Sequence, residues 1–175
     1  MSYVWNEDLS EAHLPLGGGA VNATVLDPDG NEVAVHYRIP NMNQCTNCHG
    51  VKAAGDETFK NLPIGPKAQY LNNAYHYDSG AANQLAHWST IGLLSGAPEP
   101  AAAPRLPVWS DPTDGTEEQR ARAYLDINCA HCHSETGRAR STGLWLTADR
   151  PLDANYGLCK PPVAAGAGSG GLKWD

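Results

Sequence analysis

The stretch Arg120-Ala121-Arg122-Ala123-Tyr124-Leu125-Asp126-Ile127-Asn128-Cys129-Ala130-His131-Cys132-His133 decides how this chain is read. Its last five residues repeat a frame met earlier as Cys45-Thr46-Asn47-Cys48-His49. Cys-x-x-Cys-His is the pattern of covalent haem attachment. Two thiols that close together can add to the two vinyl groups of one haem, and the adjacent imidazole then reaches the iron as proximal ligand. Two copies predict two c-type haems, with Cys45, Cys48, Cys129 and Cys132 as attachment thiols and His49 and His133 as proximal ligands.

Other readings of the same cysteines are weaker. A four-cysteine zinc site usually spaces its pairs about 15–20 residues apart. Here Cys48 and Cys129 are 81 positions apart, and zinc gives no reason for a His after both pairs. A thioredoxin-like redox pair wants a βαβ context that neither motif has. Structural disulfides are the remaining alternative.

Local signals place both motifs on helices. Asn41 and Gln44 form a capping-box pair ahead of the first motif, and Gly50 stops that helix. Thr116-Glu117-Glu118-Gln119 is a second capping box with acids in the first turn. The helix it starts should put Ala121, Tyr124, Leu125 and Asn128 on one face and run into Cys129. Further helices are expected over Pro66 to Asn72 and over Asn83 to Leu94, the latter ended by Gly96. Val21 to Leu26 and Glu32 to Ile39 are strand-like and joined by Asp27-Pro28-Asp29-Gly30, a hairpin signal.

These elements predict a mainly α chain with much loop, made of two cytochrome c-like haem modules plus a short N-terminal β-hairpin. The hairpin segment takes 1–40, the first haem module 41–96, a Pro-rich linker 97–112 and the second haem module 113–175. The tail from Pro161 to Gly171 is low in complexity and reads either as a flexible linker or as backbone lining a haem pocket.

Composition agrees with this frame. With 18 Gly, 13 Pro and one Phe in 175 residues, a protein-only core would be thin. Two macrocycles would add a large apolar surface for the chain to wrap. The net charge of −7 excludes a nucleic-acid partner, which needs a basic footprint, and suits a basic redox partner. No stretch is long and apolar enough to span a bilayer. Met1 to Asp8 lacks the marks of a secretory signal. Because covalent haem attachment is done outside the cytoplasm, the numbered chain reads as a mature or partial product, periplasmic or extracellular.

Ile39-Pro40-Asn41 into the first motif, Pro63-Ile64-Gly65-Pro66-Lys67-Ala68, Asn83-Gln84-Leu85 to Trp88, Arg120 to His133, and Cys159-Lys160-Pro161-Pro162-Val163-Ala164-Ala165-Gly166 carry a resemblance. The chain resembles a family of bacterial dihaem c-type cytochromes without an established substrate, along nearly its whole length. The resemblance implies haem binding and secretion. Members of that family extend further at both ends, and their C-terminal extension carries a Met suited to the second haem. Here no residue after His133 is Met or His. Its second haem would need an earlier His, an unusual ligand such as Cys159 or Lys160, an open site, or a residue of another chain.

His87, on a predicted helix beyond the first motif, is the leading distal ligand and is expected opposite the first haem, with His76 and His36 as alternatives. His13 is a candidate ligand between chains, on a segment that Gly17-Gly18-Gly19 would let swing. His131 and Met42 lie too close to their own motifs. Trp88, Trp109, Trp145, Tyr70, Tyr75 and Tyr77 are expected to pack on the haems, and Cys159 to be a buried structural thiol.

Two function classes follow. One is transfer of single electrons between extracytoplasmic redox partners, with self-association into an oligomer or a filament of haems in series as its more specific form. The other is a dihaem peroxidase-like oxidoreductase with one open haem. No distal acid–base constellation is visible, so a carrier is favoured over a catalyst.

Overall fold

The computed structural model describes residues 2–163. Its contacts divide into two compact units, the first ending at Leu62 and the second starting at Pro63. Each is described by itself.

In the first unit β1 (Val4–Trp5) pairs antiparallel with β2 (Ala12–His13), so His13 sits opposite Val4 in a short ladder. The long hairpin follows: β3 (Gly19–Leu26) against β4 (Glu32–Ile39), in full register. Asp27 builds its turn by accepting from the backbone N–H of Asp29 at 2.9 Å and of Asn31 at 2.8 Å, while Gly30 takes φ 85°. Hydrogen bonds from Asn31 hold the Asp27 carboxyl below its usual range. Alternation puts Val21, Ala23, Val25, Val33, Val35, Tyr37 and Ile39 on one face and Asn22, Thr24, Glu32, His36 and Arg38 on the other.

Of Gly17, Gly18 and Gly19, the last of which begins β3, only Gly18 is closely packed. Gly18, at φ 76°, lies so close to the chain at 39–41 that a Cβ would stand 2.6 Å from the Ile39 carbonyl oxygen and 2.9 Å from Asn41 N.

Next come α1 (Met42–His49), β5 (Gly50–Val51) and β6 (Lys60–Asn61), the last two paired antiparallel. Gly50 ends α1 as expected, though not by the left-handed route: its φ is −75°. Glycine is needed for closeness. A Cβ there would strike the Thr46 carbonyl oxygen and lie 2.8 Å from Thr46 Cγ2 and 3.2 Å from Phe59. Gly50→Ala should therefore destabilise the fold by about 1–3 kcal/mol, the usual cost of overpacking. An unchanged unfolding midpoint would show that the loop yields freely.

The second unit holds α2 (Ala68–Leu71), the hairpin β7 (Ala74–Tyr77) with β8 (Gly80–Asn83), α3 (Gln84–Thr90) and α4 (Glu117–Asn128). Three 3₁₀ turns complete it, at Pro100–Ala102, Arg140–Thr142 and Ala154–Tyr156. Leu71, Leu85, Ala123, Ala130, Leu146 and Tyr156 are its buried apolar residues among those described, and Ala130, Leu146 and Tyr156 form a cluster with Leu125, Cys129 and Leu144 packed on it. Burial pushes the Tyr156 phenol upward, and the Arg122 guanidinium 4.7 Å from its ring pulls the other way.

The expectation of a mainly α chain of two cytochrome c-like modules does not hold. With the three 3₁₀ turns counted, helix takes 25% and strand 20% of the described residues, in four α-helices, those turns and small antiparallel sheets. The predicted helices are shorter than their patterns. Over 66–72 only Ala68–Leu71 is helical, because Lys67 supplies no side-chain cap. Over 83–94 the helix stops at Thr90, with Gly92 at φ 75°, well before Gly96. Loops rich in Gly and Pro take the rest.

The contact division falls between Leu62 and Pro63, and the Pro-rich stretch is 97–112. That stretch is tied into the second unit: Leu106 N donates to Gln69 O at 2.9 Å, and the buried Asn72 amide donates to Pro100 O at 2.8 Å and Ala103 O at 3.0 Å. Of the tail from 161 to 171, residues 164–171 lie outside the described residues. No described helix is long and apolar enough to cross a membrane.

Candidate haem-attachment sites

The first frame lies on α1. Asn41 accepts from Gln44 N while the Gln44 side chain accepts from Asn41 N, both at 3.0 Å, so the predicted capping box is present. A helix begun there carries Cys45 and Cys48 at i,i+3 and Cys45 and His49 at i,i+4, which puts all three on one side. The Cys45 thiol donates to Asn41 O at 3.5 Å.

His49 is fixed by the small sheet after it. Leu62 N donates to His49 O at 2.9 Å, and the Leu62 carbonyl lies 3.0 Å from His49 Nδ1. A carbonyl only accepts, so Nδ1 must carry the ring proton and Nε2 the lone pair. An imidazole oriented through its other nitrogen is the usual arrangement of a metal-binding histidine.

His36 has the same electronic set-up. Its Nδ1 lies 2.7 Å from Asn22 Oδ1, directly across the β3–β4 register, which assigns the proton to Nδ1 and leaves Nε2 free to bind. A cleft of about 940 Å³ is lined by His36 and Arg38 from the hairpin and by Gln44, Asn47 and Cys48 from α1. The first unit thus brings one distal candidate to the attachment helix.

The second frame follows α4, whose predicted capping box is also present. Gln119 N donates to Thr116 Oγ1 at 3.2 Å, and Thr116 N donates to Gln119 Oε1 at 2.9 Å. Beyond the helix the backbone keeps coiling: Cys132 N donates to Cys129 O at 3.1 Å and His133 N to the same oxygen at 2.8 Å. The buried face of α4 is Ala123 and Asp126 rather than Ala121, Tyr124 and Asn128, and Tyr124 and Ile127 stay exposed. Leu146 N donates to His133 O at 2.8 Å, tying the later loop to the proximal residue. The Nδ1 atoms of His133 and His131 are buried without a hydrogen-bond partner.

His87 and His76 belong to the second unit. His87, on α3, stacks on Tyr77 with centroids 3.9 Å apart, and His76 is exposed on β7. Among the expected haem-packing aromatics, Tyr70 gives its hydroxyl to Asp126, Trp145 lies under Arg150 at 4.7 Å, and Trp109 meets Tyr124 edge-on at 5.2 Å. Cys159 is exposed at φ 52°, which corrects its reading as a buried thiol.

None of the five cysteines is in a disulfide. Among the described residues no group of three or more His, Cys, Asp or Glu side chains is placed to hold a bare metal ion. A covalently held haem needs no such group, only two thiols and one imidazole from a single frame, and each unit has that set. The first unit adds a second point of fit: none of its described apolar side chains is buried, so it has room for an apolar macrocycle.

Reading the sequence alone missed three features. The Leu62 carbonyl is backbone and leaves no trace in side-chain identity. The Asn22–His36 pair was accessible by writing out the hairpin register. Asp126, a lone acid inside a helix pattern, gave no signal beyond its position. Searches against family models, curated proteins and solved structures gave no match.

Proposed function

We propose that this chain is a dihaem c-type electron carrier, periplasmic or extracellular, that passes single electrons between redox protein partners. What carries the reading is the paired Cys-x-x-Cys-His frame, each copy on or just after a helix begun by a capping box. Bound haem iron supplies the one-electron couple. Cys45 and Cys48 hold the first haem, and His49 offers Nε2 with its other nitrogen held by Leu62. His36 is the candidate for the opposite face, since it shares a cleft with Cys48 and has its Nδ1 held by Asn22. Cys129, Cys132 and His133 hold the second haem, with His87 and His76 as same-unit candidates opposite it.

Intact mass after denaturation should equal the polypeptide plus two haems. A carrier with both irons six-coordinate should leave its reduced spectrum unchanged under carbon monoxide. A bare-chain mass ends the haem reading. Haem-loaded protein that binds carbon monoxide moves the assignment to an open-iron, peroxidase-like protein.

A further inference from the structure

Among the described residues of the second unit Asp126 is the most enclosed charged side chain, 3% exposed, on α4 three positions before its cap residue Cys129. Its Oδ1 accepts from Lys67 Nζ at 3.1 Å, from Gln69 Nε2 at 3.3 Å and from the Tyr70 hydroxyl. Its Oδ2 accepts from Ala148 N at 2.8 Å. Asp126 stands about one helical turn before Cys129, the residue that caps the helix, so its charge lies on the element that carries the second frame. Ala148 lies two residues after Leu146, whose N–H holds the His133 carbonyl. One buried acid thus fixes both the loop that steadies His133 and the segment that delivers Lys67.

Resting on the haem reading of Cys129 to His133, we propose that the Asp126–Lys67 pair sets the reduction potential of the second haem. A carboxylate beside the site favours the oxidised iron, which carries one more positive charge than the reduced iron. Lys67, 48% exposed and 3.1 Å from the carboxylate, offsets part of that charge. Burial makes the effect substantial, because charges out of water are poorly screened.

Opposite signs make the test specific. Both midpoints of the dihaem protein are read in a spectroelectrochemical titration of wild type, Asp126→Asn, Lys67→Met and the double variant. One midpoint should rise in Asp126→Asn, fall in Lys67→Met and return towards wild type in the double, while the other stays in place. A purely structural role loosens the same loop in both single variants and moves the midpoint in one direction. Same-sign shifts, or no shift, in protein whose mass contains two haems overturn the proposal. Should Asp126→Asn fail to fold, an unmoved midpoint in Lys67→Met overturns it equally and a fall sustains it. A mass without haem would instead remove the reading on which the proposal rests.

Discussion

Cys129→Ala combined with Cys132→Ala is expected to remove one haem of two and leave the other in place. The thioether bonds are the only covalent links between chain and cofactor, so the second haem should leave on denaturation, and intact mass should fall by one haem group. The first should stay, because Cys45, Cys48 and His49 lie in a separate unit with their own capped helix and small sheet. Cys129 also packs on the cluster of Ala130, Leu146 and Tyr156, so truncating its sulfur adds a packing loss of about 1 kcal/mol. Loss of haem absorbance should be about half under the one-haem-per-frame reading. Retention of two haems by the double variant would mean that the second frame is not an attachment site.

His49→Ala is expected to convert one haem from low-spin to high-spin without releasing it. Both thiols of the frame remain, so mass should be unchanged, while the iron of the haem reading loses an imidazole whose tautomer the protein has fixed. With Nδ1 held 3.0 Å from the Leu62 carbonyl, Nε2 is a preorganised electron-pair donor. Carbon monoxide should then bind the reduced variant at one iron. His36→Ala should open the same haem from its other side. If His49→Ala leaves both haems low-spin, His49 is not a ligand.

The parts of the molecule written in short local patterns were legible. Asn41 with Gln44, and Thr116 with Gln119, announce helix starts because a side chain three positions on can close the cap, whatever the rest of the chain does. Asp27 to Gly30 announces a turn for the same reason. Helix lengths were not legible. The apolar spacing over 83–94 suits a helix throughout, yet Gly92 at positive φ ends it early. A run of prolines is as compatible with a strap bonded to Asn72 and Gln69 as with a free linker, so composition alone does not decide what 97–112 does. The two Cys-x-x-Cys-His frames are visible as spacing, whereas the groups that hold their neighbours in place are not. Leu62 acts through its backbone, and Asp126 acts through residues 57 and 59 positions away in sequence.

The first unit, with no apolar side chain buried among its described residues, has a consequence for how such a protein is made. Stability comes from a small surplus of apolar burial over lost chain entropy, and this segment has little burial to offer on its own. On the haem reading its macrocycle is the missing interior, so cofactor addition and chain compaction become a single event. A maturation enzyme would then meet Cys45 and Cys48 on a loose, reachable chain, and the closed form would exist only after the thioethers had been made.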